Sequence, residues 1–146
     1  MYVFLRFRSG EVPMVAETPN YPRHKDLDPK ASRYVNVDEL EWEPTGFDGV
    51  DWKILFRDQE RGLLTALVRW QPQSTLDLHE HVDIEQSYML EGSLEDDEGV
   101  CTAGNYVWRP IGNRHRAWST NGALILATFQ EPNVFLEGRF AGKKLE

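Results

Sequence analysis

Apolar and polar side chains alternate along most of this chain, and Gly, Pro, Asn or Asp interrupt the alternation every few residues. Residues 52–57 (Trp-Lys-Ile-Leu-Phe-Arg) and 63–70 (Leu-Leu-Thr-Ala-Leu-Val-Arg-Trp) read as strands joined by the polar turn 58–62, and Pro72 ends the second. Further strands are predicted at 34–37, 76–81, 86–90, 105–109, 114–118 and 123–129. Turn signals separate them: Gly92, Asp96-Asp-Glu-Gly99, Pro110, and Asn121-Gly122, which predicts a hairpin. No stretch of the body carries a useful helical period. About eight short strands spaced by roughly 8–12 residues indicate an all-β sandwich or barrel, and a jelly-roll barrel leaves such strands without long exposed edges.

Ahead of the first strand the pattern changes. Residues 2–7 have strand composition and are expected either to add to a sheet edge, including that of a neighbouring subunit, or to stay unstructured. Residues 11–31 contain Pro13, Pro19, Pro22 and Pro29, which forbid a regular helix or central strand and predict an extended arm over the body. His24, within that arm, is expected to be a solvated loop histidine. The expected organisation is therefore a strand and Pro-rich arm over 1–33, a barrel over 34–136 and a tail over 137–146.

Composition narrows the partners. A length of 146 residues, 40% hydrophobic and 27% charged, is that of one soluble globular domain. A net charge of −8 argues against nucleic acid or an anionic membrane as partner, since both are bound through excess Lys and Arg. The lone Cys101 excludes an internal disulfide and a Cys-x-x-Cys zinc site. The apolar start is broken by arginines too early for a signal core or a membrane span, so a cytoplasmic protein is expected.

Candidate chemistry is concentrated in residues 78–92. His79 and His81 stand two apart, so on an extended strand both imidazoles leave from one face. Glu85 opens the next apolar run, from where its carboxylate can turn back toward the pair. His115 follows in Pro110-Ile-Gly112-Asn-Arg-His115. Three neutral imidazoles and one carboxylate make a nitrogen and oxygen set suited to Fe(II), Mn(II), Ni(II) or Zn(II). If the histidines face inward, strict alternation places Asp77 beside them, Ser87 and Met89 beside Glu85, and Ala117 beside His115. Met89, Trp52, Tyr106, Trp108 and Phe129 are the candidate pocket walls, together with Trp118. The acidic run 95–98 reads as a solvated turn.

The arrangement His79-x-His81-x3-Glu85-x6-Gly92, followed by Gly104-x5-Pro110-x-Gly112-x2-His115, resembles the two signature motifs of the cupin superfamily. Two positions depart from it. Gln73 stands where a glycine usually precedes the first histidine by six residues, and Ser119 stands at an asparagine position. From Trp42-Glu-Pro44 to Phe129-Gln-Glu-Pro132, the chain is similar to the branch holding the zinc cupin domain of ChrR-type anti-sigma factors. That branch also includes small iron dioxygenases acting on acetylacetone and on dihydroxyacetophenone. The resemblance implies a cupin double-stranded β-helix with His79, His81, His115 and Glu85 around one divalent ion, Fe(II) foremost. Some of these iron enzymes use three histidines alone, which leaves Glu85 either a ligand or a ligand's partner. It further implies a homodimer that takes a small β-dicarbonyl or hydroxyketone and O2 and cleaves a carbon–carbon bond. The alternative it implies is a zinc-binding sensory cupin without catalytic activity; the cysteine-containing zinc domain of such anti-sigma factors has no counterpart among these residues.

Overall fold

In a computed structural model, which describes residues 16–145, the chain is an antiparallel β-structure whose strands curl around one core. The strands are β1 (Ala16–Glu17), β2 (Glu43–Pro44), β3 (Val50–Asp58), β4 (Leu63–Trp70), β5 (Ser74–Glu80), β6 (Glu85–Asp96), β7 (Gly99–Thr102), β8 (Tyr106–Arg109), β9 (Arg114–Ser119), β10 (Ala123–Phe129) and β11 (Val134–Phe135). They pair in the order β1-β3-β4-β10-β6-β9-β5-β11, with β2 on β3 and β7 and β8 on β6. This is a single-domain jelly roll, the one of the sandwich and barrel folds open to the alternation that the cupin resemblance selects. The apolar segment 2–7 lies outside the described residues. No helix among the described residues is long and apolar enough to cross a membrane.

Alternation decides what is buried. Along β4, Leu64, Ala66, Val68 and Trp70 are buried, and along β10 so are Ala123, Ile125, Ala127 and Phe129. These two strands lie in register, Ala123 opposite Trp70 and Phe129 opposite Leu64, so their inner faces form one apolar wall. The core continues through Val50, Trp52, Leu76, Met89, Ala117 and Phe135.

The long strand β6 serves both halves of the barrel. Its first part pairs with β10 and β8, and its last four residues pair with β7. The change of partner falls at Gly92, whose φ is +70°. A Cβ built there would stand 1.9 Å from the Gly122 carbonyl oxygen, so only glycine lets the two turns touch. Gly122 has its own reason, a φ of +89°.

Three expectations need correction. Residues 34–37 form no strand; the chain runs extended into a 3₁₀ turn at Val37–Glu39, and the Tyr34 carbonyl takes a hydrogen-bond contact from His24 instead. Asn121-Gly122 is no hairpin, because β10 pairs with β4 and β6 while β9 pairs with β5, so this turn carries the chain across the barrel. His24 is buried, its Nε2 2.9 Å from the Tyr34 carbonyl and its ring edge-on to Tyr21. The segment 133–145 doubles back on itself: Phe135 N–H donates to Lys143 O, Leu145 N–H donates to Asn133 O, and Phe140 packs on Phe47 and Phe135.

Candidate metal centre

Strand β5 delivers the first histidines through an irregularity. Its pairing with β9 is regular at Ser74, Thr75 and Leu76, slips between Leu76 and His79, and resumes with His79 opposite His115. A bulge of this kind turns Leu76 and His79 to the same side, both buried, where strict alternation would have placed Asp77 inward. Asp77 instead leans on Gly138, so the expectation that it shares the ligand face is corrected. His81 lies just past the strand end, and the second motif holds its backbone: His81 N–H donates to Asn113 O at 2.8 Å and Gly112 N–H to His81 O at 2.7 Å. The turn built on Pro110 and Gly112 therefore exists to grip the residue beside the ligand strand. It delivers His115 at the same time.

His79, His81 and His115 converge. All three are buried, and one nitrogen from each lies within 4.8 Å of the others. The outer ring nitrogens have partners on the protein. His79 Nδ1 donates to the Asp77 carbonyl oxygen at 2.8 Å, and His115 Nδ1 donates to Asp96 Oδ2 at 2.9 Å. Glu85 Oε2 stands 3.0 Å from His81 Nδ1, although the approach is too far off the N–H direction to make a well-formed hydrogen bond. Partners of this type fix the tautomers of His79 and His115, leaving their Nε2 lone pairs free to point inward. Glu85 itself is not one of the converging group. Its carboxylate receives Ser87 Oγ at 2.9 Å and Asn133 Nδ2 at 3.3 Å as well as facing His81.

Asp96 overturns the reading of 95–98 as a solvated turn. Asp97 and Glu98 make the turn, but Asp96 is buried and its Oδ1 accepts the backbone N–H groups of Glu98 and Gly99. Its Oδ2 faces both His115 and the Arg109 guanidinium, the latter at 2.5 Å. A sequence signal did exist: Asp96 begins the turn as a capping Asp does, and Arg109 is the one charged residue at the end of a short apolar strand.

The charge states follow from these contacts. Burial drives the His79 pKa down to about 4, outweighing the Asp77 carbonyl that favours the proton. Burial and then the positive charge of Arg109 also lower His115. For Asp96, burial opposes ionisation, but His115, two backbone N–H groups and Arg109 together hold the carboxyl below its usual range. Glu85 is likewise held below its usual range, its burial outweighed by the neighbouring His81 and His79 and by the Ser87 hydroxyl. Neutral imidazoles beside ionised carboxylates are the state a metal ion requires.

A cavity of about 50 Å³ adjoins this cluster, lined by Trp52, Trp70, His79, Glu85, Phe129 and Asn133 among others. Two expected walls, Trp52 and Phe129, are there. Met89 is buried on the inner face but is not part of the lining. Tyr106 and Trp108 are misplaced by the expectation: they lie on the outer face of β8, 52% and 55% exposed, opposite the outward residues Tyr88 and Gln86 of β6. Trp118 is half-buried between the inward Ala117 and Ser119.

The ChrR cupin-like domain model matches residues 30–133. The chain belongs to that family. Among solved structures, this ChrR cupin-like chain is similar to an acetylacetone dioxygenase from Acinetobacter johnsonii, at 21% identity and a TM-score of 0.67, over 83% of this chain and 87% of that one. A candidate acetylacetone dioxygenase from Methylibium petroleiphilum gives 23% identity and a TM-score of 0.69, over 82% and 90% of the two chains. The anti-sigma factor ChrR of Rhodobacter sphaeroides, in its complex with SigE, gives 19% and 0.55, over 64% of this chain and 50% of that one. No curated protein sequence matches. At these identities the neighbours establish the cupin fold.

Proposed function

We propose that this ChrR cupin-like chain is a non-heme Fe(II) dioxygenase that cleaves a carbon–carbon bond in a small β-dicarbonyl or hydroxyketone. His79, His81 and His115 hold the ion through their Nε2 atoms. One observation carries this reading: a ring nitrogen from each of the buried His79, His81 and His115 lies within 4.8 Å of the others. Three protein ligands on an ion of six-coordinate habit leave positions open for a chelating substrate and O2.

Bound there, a redox-active divalent ion supplies Lewis acidity and the electrons that dioxygen chemistry needs. The chain's own residues do the rest. Asp77 O and Asp96 hold the rings of His79 and His115 in one tautomer, and Arg109 keeps Asp96 charged. Glu85, ionised and facing His81, offsets the charge of the ion and is placed to take a proton from an enolisable substrate at its Oε1 or Oε2. The apolar walls Trp52 and Phe129 limit the water beside the site. Reconstitution with Fe(II), followed by O2 uptake with acetylacetone and related diketones and hydroxyketones, tests the proposal. Uptake in step with substrate loss supports it; no uptake at stoichiometric iron overturns it.

The second reading is a zinc-binding sensory cupin, favoured by the family match and by the ChrR neighbour. Tightly held zinc in protein purified without added metal, with no O2 uptake after iron exchange, would select it.

A further inference from the structure

Two hollows of unequal size meet at one side chain. The inner cavity beside the histidines measures about 50 Å³. Since one water needs at least about 10–15 Å³ on this measure, it holds a handful of waters and no more. A surface cleft of about 460 Å³ lies beyond it, lined by Ile54, Arg57, Arg61, Leu64, Glu131 and Lys144 among others. That volume falls within the roughly 300–1,000 Å³ of small-molecule sites, whereas the inner one is well below it. Among the described residues, Leu145 alone lines both.

Leu145 is held there by design of the doubled-back segment. Its N–H donates to the Asn133 carbonyl at 3.0 Å, and Lys144 bridges Val134 opposite β11. Asn133 is buried, its side-chain Nδ2 contacts Glu85, and its Oδ1 has no hydrogen-bond partner. The residue that anchors Leu145 thus also faces the metal cavity with an unmet acceptor, which is costly in a buried amide unless a ligand or water meets it.

We infer that the cleft is the outer half of the ligand site and that the Leu145 side chain is the partition that sets ligand size. This rests on reading the inner cavity as the place where a chelating dicarbonyl binds. Its two oxygens enter the inner cavity, Asn133 Oδ1 accepts from a hydroxyl on the ligand, and any substituent longer than methyl must displace Leu145 to reach the cleft. Leu145 is a specificity-determining residue, and the doubled-back segment 133–145 is its hinge support.

The experiment compares wild type, Leu145→Ala and the neighbouring control Lys143→Ala, each loaded with Co(II). Acetylacetone and the bulkier benzoylacetone are titrated against the cobalt absorption bands. Leu145→Ala is expected to tighten benzoylacetone at least tenfold while acetylacetone changes less than threefold, with Lys143→Ala like wild type. Equal changes for both ligands, or none, overturn the inference. The metal-free proteins give a second reading through the NMR resonance of the Trp52 indole, which lines the inner cavity. A response to benzoylacetone in Leu145→Ala and not in wild type supports the partition even if cobalt binds neither ligand, which would defeat the dioxygenase reading alone. The same response in wild type overturns it.

Discussion

His81 Nε2 and His115 Nε2 lie 2.9 Å apart, and His115, whose N–H goes to Asp96, can only accept there, so the proton of this pair is the one on His81. A divalent ion facing His79, His81 and His115 replaces that single contact with three ligand bonds. A divalent ion is therefore expected to stabilise the fold strongly. At a hundredfold excess over Kd the gain is about 2.7 kcal/mol, which for a domain of this size is roughly 5–10 °C in Tm. Thermal unfolding with and without Ni(II), or Fe(II) under anaerobic conditions, measures it. His81→Ala and His115→Ala should each abolish the shift; a shift retained in both would mean the ion binds elsewhere.

The Asp96–His115 contact makes a second expectation. Replacing a carboxylate that orients a ligating histidine typically weakens metal about 10- to 100-fold. Asp96→Asn keeps the volume and a carbonyl acceptor but leaves the half-buried Arg109 without its counter-charge. It should show that loss of affinity by competition with a coloured chelator. Arg109→Met should relax the contact without deleting it and lose less. An Asp96→Asn affinity equal to wild type would remove Asp96 from the centre.

Acid should unfold the metal-free protein from a higher pH than carboxylates alone predict. Unfolded His79 takes up a proton near pH 6.5, whereas buried His79 resists until about 4. Between those values the unfolded state binds more protons, so stability falls as pH falls, by about 3 kcal/mol across the window for this one residue. His115, also lowered, adds to the same slope. Glu85 and Asp96, lowered carboxylates, lose their contribution only below that window, as pH falls under the ordinary carboxylate range. Urea unfolding of chelator-treated protein between pH 7 and 4.5 measures the slope. His79→Gln should flatten it.

Much of this was legible in the residues, for identifiable reasons. The bounds of β4 and β10 match the alternation because both strands pair on both edges and lie against each other in unbroken register. The motif spacing placed His79, His81 and His115 together because Gly92, Pro110 and Gly112 fix the turns between them. What failed were inferences that assume an undisturbed strand or a local partner. The bulge at Asp77 inverts a face, the Asn121-Gly122 turn crosses the barrel, and Asp96 finds Arg109 thirteen residues away. Tyr106 and Trp108 share strand composition with the core, and only the register of β8 on β6 sends them outward.

Gln73 offers a test of the departure from the motif. Its φ is +64°, in the region that a glycine adopts without penalty, and its N–H donates to Ser119 O at 2.7 Å. A non-glycine residue there costs about 1–2 kcal/mol, while glycine costs about 0.5–1 kcal/mol in chain entropy. Gln73→Gly should therefore stabilise by about 0.5 kcal/mol, roughly 1–2 °C in Tm. Gln73→Ala should change little, since it keeps the Cβ. A Gln73→Gly protein less stable than wild type would show that the side chain contributes more than its backbone strain removes.

Glu85 separates the two ways of building the centre. If its carboxylate were a fourth ligand, Glu85→Gln would remove a charged donor, and the cobalt spectrum would change in shape as well as in affinity. Seated instead against His81, Ser87 and Asn133, it acts through the His81 ring. Glu85→Gln should then bind metal about 10- to 100-fold more weakly while leaving the Co(II) band pattern unchanged. Ser87→Ala removes one donor to Glu85 and should weaken metal by less, because the contact to His81 remains. A changed band pattern in Glu85→Gln, with Ser87→Ala silent, would move the carboxylate onto the ion and make the centre one of four protein ligands, with one open position fewer for substrate.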